Sequence, residues 1–101
     1  MDIKITNEGN VSILTLNGQL NTMTSTQLQD SLMPLAESGD REILLDFQGL
    51  DYVSSAGLRV LLAAQNEVDE RDIKMSICHV CEEVAEVFEM TGFDEILTIR
   101  E

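Results

Sequence analysis

The amino-acid sequence predicts an α/β domain in which a four- or five-stranded, mostly parallel sheet is covered by three main helices. Three observations lead to this fold class. Strand-like and helix-like patterns alternate along most of the chain, as expected when helical crossovers join parallel strands. Two strand-like segments open the chain with only a turn between them, which predicts an N-terminal hairpin. Finally, 101 residues suffice for one domain, so we expect a single domain over residues 1–101.

The N-terminal hairpin is predicted from two short alternating runs. Residues 3–6 and 11–16 each alternate between polar and apolar side chains, as expected for strands with one buried face. Between them, Gly9 stands close to asparagines, and both residue types tolerate the positive φ of tight turns. After the second run, residues 18–21 leave the sheet and end at Asn21.

A change of hydrophobic period predicts the first helix and the central strand. A helix over residues 22–36 is indicated by leucines that recur on one helical face, namely Leu28, Leu32 and Leu35. Pro34 removes a backbone donor inside this helix and should kink or loosen its last turn. Residues 43–47 are apolar on both faces up to Asp46, which is typical of a strand that is covered on both sides or paired in parallel.

The second half of the chain continues the alternation. The predicted elements are, in order, a Gly-Leu-Asp turn at 49–51, a helix over 56–70, a strand over 73–78, a helix over 82–91 and a strand over 96–99. The inner stripe of the helix over 56–70 is expected to consist of Gly57, Leu61, Ala64 and Val68. Gly92 is well placed to cap the third helix, because glycine readily adopts the left-handed conformation that ends helices.

Composition and charge exclude several classes of function. With 19 acidic and 6 basic residues, the formal net charge is −13, so neither nucleic acid nor an anionic membrane surface is an expected partner. No apolar run is long enough to span a bilayer, and the N-terminus lacks the pattern of a signal peptide. Together with only two cysteines, these features indicate a protein of the reducing cytoplasm.

Ser54 and Ser55 stand where a strand-and-turn segment enters a helix. A serine in this place commonly caps the helix, because its hydroxyl accepts from the free N–H groups of the first turn. The same N–H groups and the positive end of the helix dipole also suit the oxygens of a phosphoryl group. The residues themselves leave both interpretations open.

The segment around these serines resembles the signature of the anti-sigma factor antagonists, stand-alone members of the STAS family (sulfate transporter and anti-sigma factor antagonist domains). The resemblance rests on residues 46–47, Asp-Phe, and on residues 52–58, Tyr-Val-Ser-Ser-Ala-Gly-Leu. The order of strands and helices also matches that family from end to end. In the family the regulated serine stands two residues before the glycine, which is the position of Ser55. Two positions differ, since Ser54 stands where an Asp is common and Asn21 replaces the Asp of a Gly-x-Leu-Asp motif.

The resemblance implies a switchable binding protein rather than an enzyme, with no cofactor. Its dephosphorylated form would bind an anti-sigma factor of the histidine-kinase-like ATPase type, and a sigma factor would be released. That partner would phosphorylate Ser55, in preference to Ser54, with ATP, and a serine phosphatase would reverse the modification. The partner-binding surface is expected to comprise Asn21, Ser54, Ser55, Ala56, Gly57, Arg59 and Leu62.

The geometry of a parallel sheet predicts where this surface lies. Loops that leave parallel strands gather at one edge of the sheet, where ligands usually bind. Asn21, Asp46 and Ser55 should therefore meet at that edge. Arg59 and Leu62 fall on the outer side of the helix that Ser55 begins, so we expect them to be available to a partner.

Two alternatives remain open. A STAS protein without phosphorylation could act as a scaffold or as a subunit of another complex. The pair Cys78 and Cys81 could be a thiol-redox pair, because the start of a helix lowers a thiol pKa, although Cys78 ends an alternating strand where it suits packing. A closed zinc site needs four ligands, and the chain holds two cysteines and the single His79, so no metal site is expected.

Overall fold

The secondary structure alternates as predicted from the N-terminal hairpin to the third helix. The computed structural model describes residues 1–100 of the chain. Its elements are, in order, β1 (Asp2–Glu8), β2 (Val11–Leu20), α1 (Thr22–Ser38), β3 (Glu42–Val53), α2 (Ser55–Glu70), β4 (Met75–Cys78), α3 (Glu82–Thr91) and α4 (Phe93–Ile96). Within the described residues, no helix combines the length and the apolar character needed to cross a membrane.

A four-stranded sheet holds the strands in the order of the sequence, β1-β2-β3-β4. β1 pairs antiparallel with β2, whereas β2 with β3 and β3 with β4 are parallel pairs. The predicted fold class, an α/β domain with an N-terminal hairpin and a mostly parallel sheet, is therefore confirmed. Each helical connection returns the chain to the strand next to the one that it left, as is usual for short connections.

One hydrophobic core joins the sheet to the helices. From Glu42 to Phe47 in β3, half-buried and buried residues alternate, so only one face of this run is fully covered. The apolar run therefore reflects the parallel pairing of β3 with both of its neighbours. The ring of Phe47 in β3 packs against that of Phe88 in α3, with centroids 6.4 Å apart. The predicted inner stripe of α2 is buried in this core and consists of Gly57, Leu61, Ala64 and Val68.

The predicted final strand over residues 96–99 is wrong. After α3, Gly92 adopts a left-handed conformation with a φ of 80°, and the chain restarts as the short helix α4, which includes Ile96. Among the described residues, this segment contributes one isolated parallel bridge, between Ile77 of β4 and Ile99. Of the four residues that the pattern assigned to a strand, Ile96 alone lies in α4, and the buried side chain of Leu97 ties the following segment to the core.

β3 is longer than predicted and includes the residues that were expected to turn. It keeps its parallel pairing with β2 as far as Val53, although the register shifts twice on the way. Gly49 permits this continuation, because a Cβ atom there would lie 2.5 Å from Oδ1 of Asn17 on β2. Leu50 and Val53 are buried, so hydrophobic contact holds the extended segment against the core.

α1 begins and ends at residues suited to helix termini. Oδ1 of Asn21 accepts from the backbone N–H groups of Met23 and Thr24, both at 3.0 Å. The hydroxyl of Thr24 accepts in return from the N–H of Asn21 at 2.8 Å, which completes a capping box. Pro34 lies inside the helix, yet the helix continues past it and ends at Gly39, whose φ is 64°.

α2 begins at Ser55 and is capped by Ser54. The hydroxyl oxygen of Ser54 accepts from the N–H of Gly57 at 3.2 Å and so satisfies one free donor of the first turn. Ser55 is exposed, and among the described residues its hydroxyl has no hydrogen-bond partner. The two neighbouring serines therefore have different structural roles.

Replacing Ser54 by Ala should lower the free energy of unfolding by about 1 kcal/mol, because α2 loses its side-chain cap. Ser55→Ala is the matched control, since it removes the same hydroxyl from an exposed position and should change stability by less than about 0.5 kcal/mol. Urea denaturation of the two purified variants measures both values. Equal losses in the two variants would contradict the assignment of the cap to Ser54.

Gly57→Ala should destabilise the domain, because Gly57 marks a close approach of α2 to β2. A Cβ atom there would lie 2.6 Å from Cγ of the fully buried Leu20. We expect a loss of roughly 1–3 kcal/mol, despite the better helix propensity of alanine. Thermal and chemical denaturation measure the change, with the exposed Asn66→Ala on the same helix as control at less than about 0.5 kcal/mol. A Gly57→Ala variant as stable as the original protein would show that Leu20 gives way.

Candidate partner-binding site

The N-terminal ends of α1 and α2 lie side by side at one edge of the sheet. Leu20, at the end of β2, pairs with Val53, at the end of β3, and the N–H of Ser54 donates to the carbonyl of Leu20 at 2.8 Å. Asn21 and Ser54 are consequently the caps of neighbouring helices. The structure thus brings Asn21 and the two serines together at the carboxyl end of parallel strands, where ligands usually bind.

Asp46 does not join this group, so its predicted place at the same edge is wrong. It lies within β3 and is in register with Thr15 of β2 and Cys78 of β4. The reason is the extension of β3 to Val53, since the residues after Asp46 form the part of the strand that leads to the serines.

Ser55 is the serine whose hydroxyl is accessible. Ser54 is half-buried, and its oxygen is engaged by the N–H of Gly57. Ser55 is exposed at the first position of α2. The hydroxyl of Ser55 is therefore accessible from solvent, whereas that of Ser54 is engaged in the helix cap.

The electrostatic setting of these two helix starts differs from that of the chain as a whole. The chain carries a net charge of −13, yet neither α1 nor α2 has an acidic residue in its first turn. α3, in contrast, begins with Glu82 and Glu83. Because no first-turn carboxylate offsets the positive ends of these two helix dipoles, this edge is favourable for an added negative charge.

The remaining predicted partner residues differ in exposure. Arg59 is exposed and lines a groove of about 330 Å³ between α1 and α2, together with the half-buried Ala56. Leu62 is half-buried, so it offers only part of its side chain to a partner. Gly57 is buried against Leu20, so it contributes to the packing of the domain rather than to contact with a partner.

Two exposed apolar side chains at the ends of these elements are absent from the predicted surface. Met23, in the first turn of α1, is 86% exposed, and Tyr52, next to the end of β3, is 48% exposed. Methionine and tyrosine are both enriched at protein interfaces. The sequence alone could have indicated that Met23 is exposed, because it follows the helix cap and lies off the apolar stripe of its helix. It gave no such indication for Tyr52, which follows a segment that was expected to turn.

A second cluster of titratable side chains lies where β3 and β4 run side by side. Nδ1 of His79 is 2.9 Å from Oδ1 of Asp46 and 3.6 Å from Sγ of Cys78. Burial raises the pKa of Cys78, the nearby Asp46 carboxylate raises it further, and Arg100 partly offsets both. A thiol with a raised pKa stays protonated at neutral pH, which is the opposite of what a reactive cysteine requires.

The Cys-x-x-Cys spacing gives the two thiols different partners. The thiol of Cys81 donates to the carbonyl of Leu50 at 3.4 Å, while the thiol of Cys78 lies against His79. Both cysteines are free. The separate environments and the raised pKa of Cys78 both disfavour the thiol-redox alternative.

Comparison with known proteins identifies the family. The family model of the STAS domain matches residues 2–101. The chain is 36% identical over 87 residues to BtrV of Bordetella bronchiseptica, a protein named as an anti-sigma factor antagonist. That match covers 86% of this chain and 75% of BtrV.

Solved structures of similar proteins share the fold. A protein from Thermotoga maritima, described as an anti-sigma factor antagonist, matches with a TM-score of 0.91 at 19% identity, over 98% of this chain and 86% of that one. The anti-sigma factor antagonist SpoIIAA in its unphosphorylated form matches with a TM-score of 0.83 at 16% identity, over 99% and 89% of the two chains. The Bacillus SpoIIAA in its phosphorylated form matches with a TM-score of 0.76 at 15% identity, over 99% and 92%. The fold that these structures share covers nearly the whole chain, and so does the family model. The chain belongs to the STAS domain family.

Proposed function

We propose that this chain is an anti-sigma factor antagonist whose binding is switched by phosphorylation of Ser55. Its dephosphorylated form binds an anti-sigma factor of the histidine-kinase-like ATPase type, and a sigma factor is thereby released. The ATPase phosphorylates Ser55 with ATP, a serine phosphatase reverses the modification, and the exchange takes place in the cytoplasm. In this cycle the chain is the substrate of a kinase and not itself an enzyme.

The observation that carries the proposal is the exposed hydroxyl of Ser55 at the first position of α2, next to the cap formed by Ser54. A kinase needs a hydroxyl that it can reach, and Ser55 offers one while Ser54 holds the helix in place. The absence of first-turn carboxylates from α1 and α2 supports the same assignment, because a phosphoryl group there meets favourable dipoles.

The named relatives support the regulatory class. BtrV, with 36% identity, carries the name of an anti-sigma factor antagonist. SpoIIAA, which shares the fold, has been solved in both a phosphorylated and an unphosphorylated form. A phosphorylation switch is thus compatible with this fold in a protein of the same named class.

The physics of the switch is local to the edge that holds Ser55. A phosphoserine adds about −1.5 to −2 charges near neutral pH. At the start of α2 this charge is compatible with the fold, but at an interface it must be desolvated and it repels any acidic group of the partner. Because the charge is tolerated at the start of α2, the modification acts on binding rather than on folding. A change of about 3 kcal/mol in the free energy of binding weakens association roughly a hundredfold.

The partner surface that we propose surrounds Ser55 and continues along the outer side of α2. Arg59 supplies an exposed guanidinium at the groove between α1 and α2, and Leu62 supplies a half-buried apolar side chain. Met23 adds a largely exposed apolar group in the first turn of the neighbouring helix. A few such apolar and arginine anchors carry most of the binding energy in protein interfaces.

Incubation with the cognate ATPase and ATP should phosphorylate Ser55 and leave Ser54 unmodified. Ser55→Ala should bind the partner but resist phosphorylation, and Ser55→Asp should bind at least about tenfold more weakly, because it places a charge in the interface. Mass spectrometry of the peptide that contains both serines locates the phosphate, with Ser54→Ala as the control that retains the acceptor. Phosphate on Ser54 would refute the assignment, and phosphate on neither serine would favour a scaffold or subunit role.

Leu62→Asp should weaken binding to the cognate ATPase by roughly tenfold or more, because it places an unpaired carboxylate in a desolvated interface. Asn66→Asp is the control, since it adds the same charge at an exposed position one turn further along α2. Isothermal titration calorimetry measures both affinities, and circular dichroism checks that both variants fold. A folded Leu62→Asp variant with unchanged affinity would exclude this part of α2 from the interface.

A further inference from the structure

We propose that Asp46, Cys78 and His79 form a binding site for a divalent transition-metal ion of the zinc type. This site lies where β3 and β4 are in register, apart from the edge that carries Ser55. The proposal is independent of the phosphorylation switch, because it rests on a different set of side chains. We refer to these residues as the Asp46–Cys78–His79 cluster.

The spacing of the donor atoms suits a tetrahedral ion. One ligand atom from each of the three residues lies within 4.8 Å of the others. Nδ1 of His79 and Sγ of Cys78 are 3.6 Å apart. Bonds of about 2.0–2.3 Å at tetrahedral angles separate two ligand atoms by roughly 3.3–3.8 Å, so this pair needs little rearrangement to bind one ion. Oδ1 of Asp46 is closer to Nδ1, at 2.9 Å, and has to move outward slightly.

The backbone at the end of β4 holds the imidazole in this position. His79 has a φ of 57°, in the left-handed region that few residues other than glycine adopt. It directly follows Cys78, the last residue of β4, and its ring lies against the side chain of Asp46 on the neighbouring strand. The N–H of Gln48 donates to the same oxygen, Oδ1 of Asp46, at 3.0 Å, and so orients the carboxylate. The three side chains are thus close together before any ion arrives and need only small movements to bind it.

The charges of the cluster match those of a divalent ion. The Asp46 carboxylate and a Cys78 thiolate together neutralise two positive charges, while His79 binds as a neutral imidazole. Burial and Asp46 raise the pKa of Cys78 in the ion-free chain, so the thiolate forms when the bound cation displaces the thiol proton. His79 is exposed, so an ion can reach the cluster from solvent.

Binding of the ion forms three bonds to the protein and releases one proton. The ion forms bonds to Sγ of Cys78, to Nδ1 of His79 and to one carboxylate oxygen of Asp46. The thiol proton of Cys78 is released to solvent. The hydrogen bond between Nδ1 of His79 and Oδ1 of Asp46 is broken, and the neutral imidazole exchanges its Nδ1 proton for one on Nε2 through solvent. A water molecule takes the fourth position, as in zinc sites with three protein ligands.

The sequence does not reveal this site because its ligands come from two strands. The Cys-x-x-Cys segment holds two cysteines and one histidine, too few ligands for a closed zinc site, so the sequence predicted no metal site. In the structure Cys81 donates to the carbonyl of Leu50. The third ligand is Asp46, which only the register of β3 with β4 brings next to Cys78.

Titration of the purified chain with Co²⁺ tests the proposal. We expect one ion per chain and the near-ultraviolet charge-transfer band of a thiolate ligand, which Zn²⁺ displaces. Cys78→Ser should abolish the band, and His79→Ala and Asp46→Asn should each weaken the affinity more than the roughly 10–100-fold typical of outer-shell changes. Cys81→Ser is the matched control and should bind as the original chain does.

The original chain also provides a test that does not depend on the folding of any variant. His79 is the only histidine, so its ring resonances in a proton NMR spectrum are unambiguous. Stoichiometric Zn²⁺ should shift or broaden them, and unchanged resonances would overturn the proposal. Loss of the Co²⁺ band in Cys81→Ser, or one ion shared by two chains, would also overturn it.

Discussion

The parallel pairing of β2 with β3 as far as Leu20 and Val53 is the constraint on which the candidate switch depends. It brings the last residues of the two strands together, so the helices that follow them begin side by side. The close approach of Gly57 to Leu20 then holds the start of α2 against the end of β2. A strand that ended at residue 47, as the sequence pattern suggested, would not position Ser55 beside Asn21.

The distribution of acidic residues complements this geometry. A chain with a net charge of −13 would be expected to repel a further anion over most of its surface. The first turns of α1 and α2 have no carboxylate, however, and their dipoles present positive ends at the same edge. An added phosphoryl group is therefore compatible with the folded state, and in the proposed switch its effect falls on the association with a partner.

The register of β3 with β4 also explains why the side chains of the Asp46–Cys78–His79 cluster meet. Asp46 was expected at the edge with the serines but lies opposite Cys78, where it contacts His79. The same extension of β3 that carries the chain to Ser55 leaves Asp46 in the middle of the strand. This one structural feature thus separates Asp46 from the serines, beside which the sequence had predicted it.

The sequence by itself determined the fold class, the order of elements through α3, the buried stripe of α2 and the serine pair at a helix start, because these follow from local periodicity and composition. Tertiary structure decided the rest. Gly49 reads as a turn residue in isolation, but close packing against Asn17 makes it part of β3. Residues 96–99 were predicted to form a strand, but after the left-handed Gly92 the chain forms α4 as far as Ile96, and Ile99 makes one bridge to β4. The different roles of Ser54 and Ser55 depend on which of the two begins the helix, a one-residue difference that periodicity cannot resolve. The contact of Asp46 with His79 joins segments that are distant in sequence, which periodicity does not report.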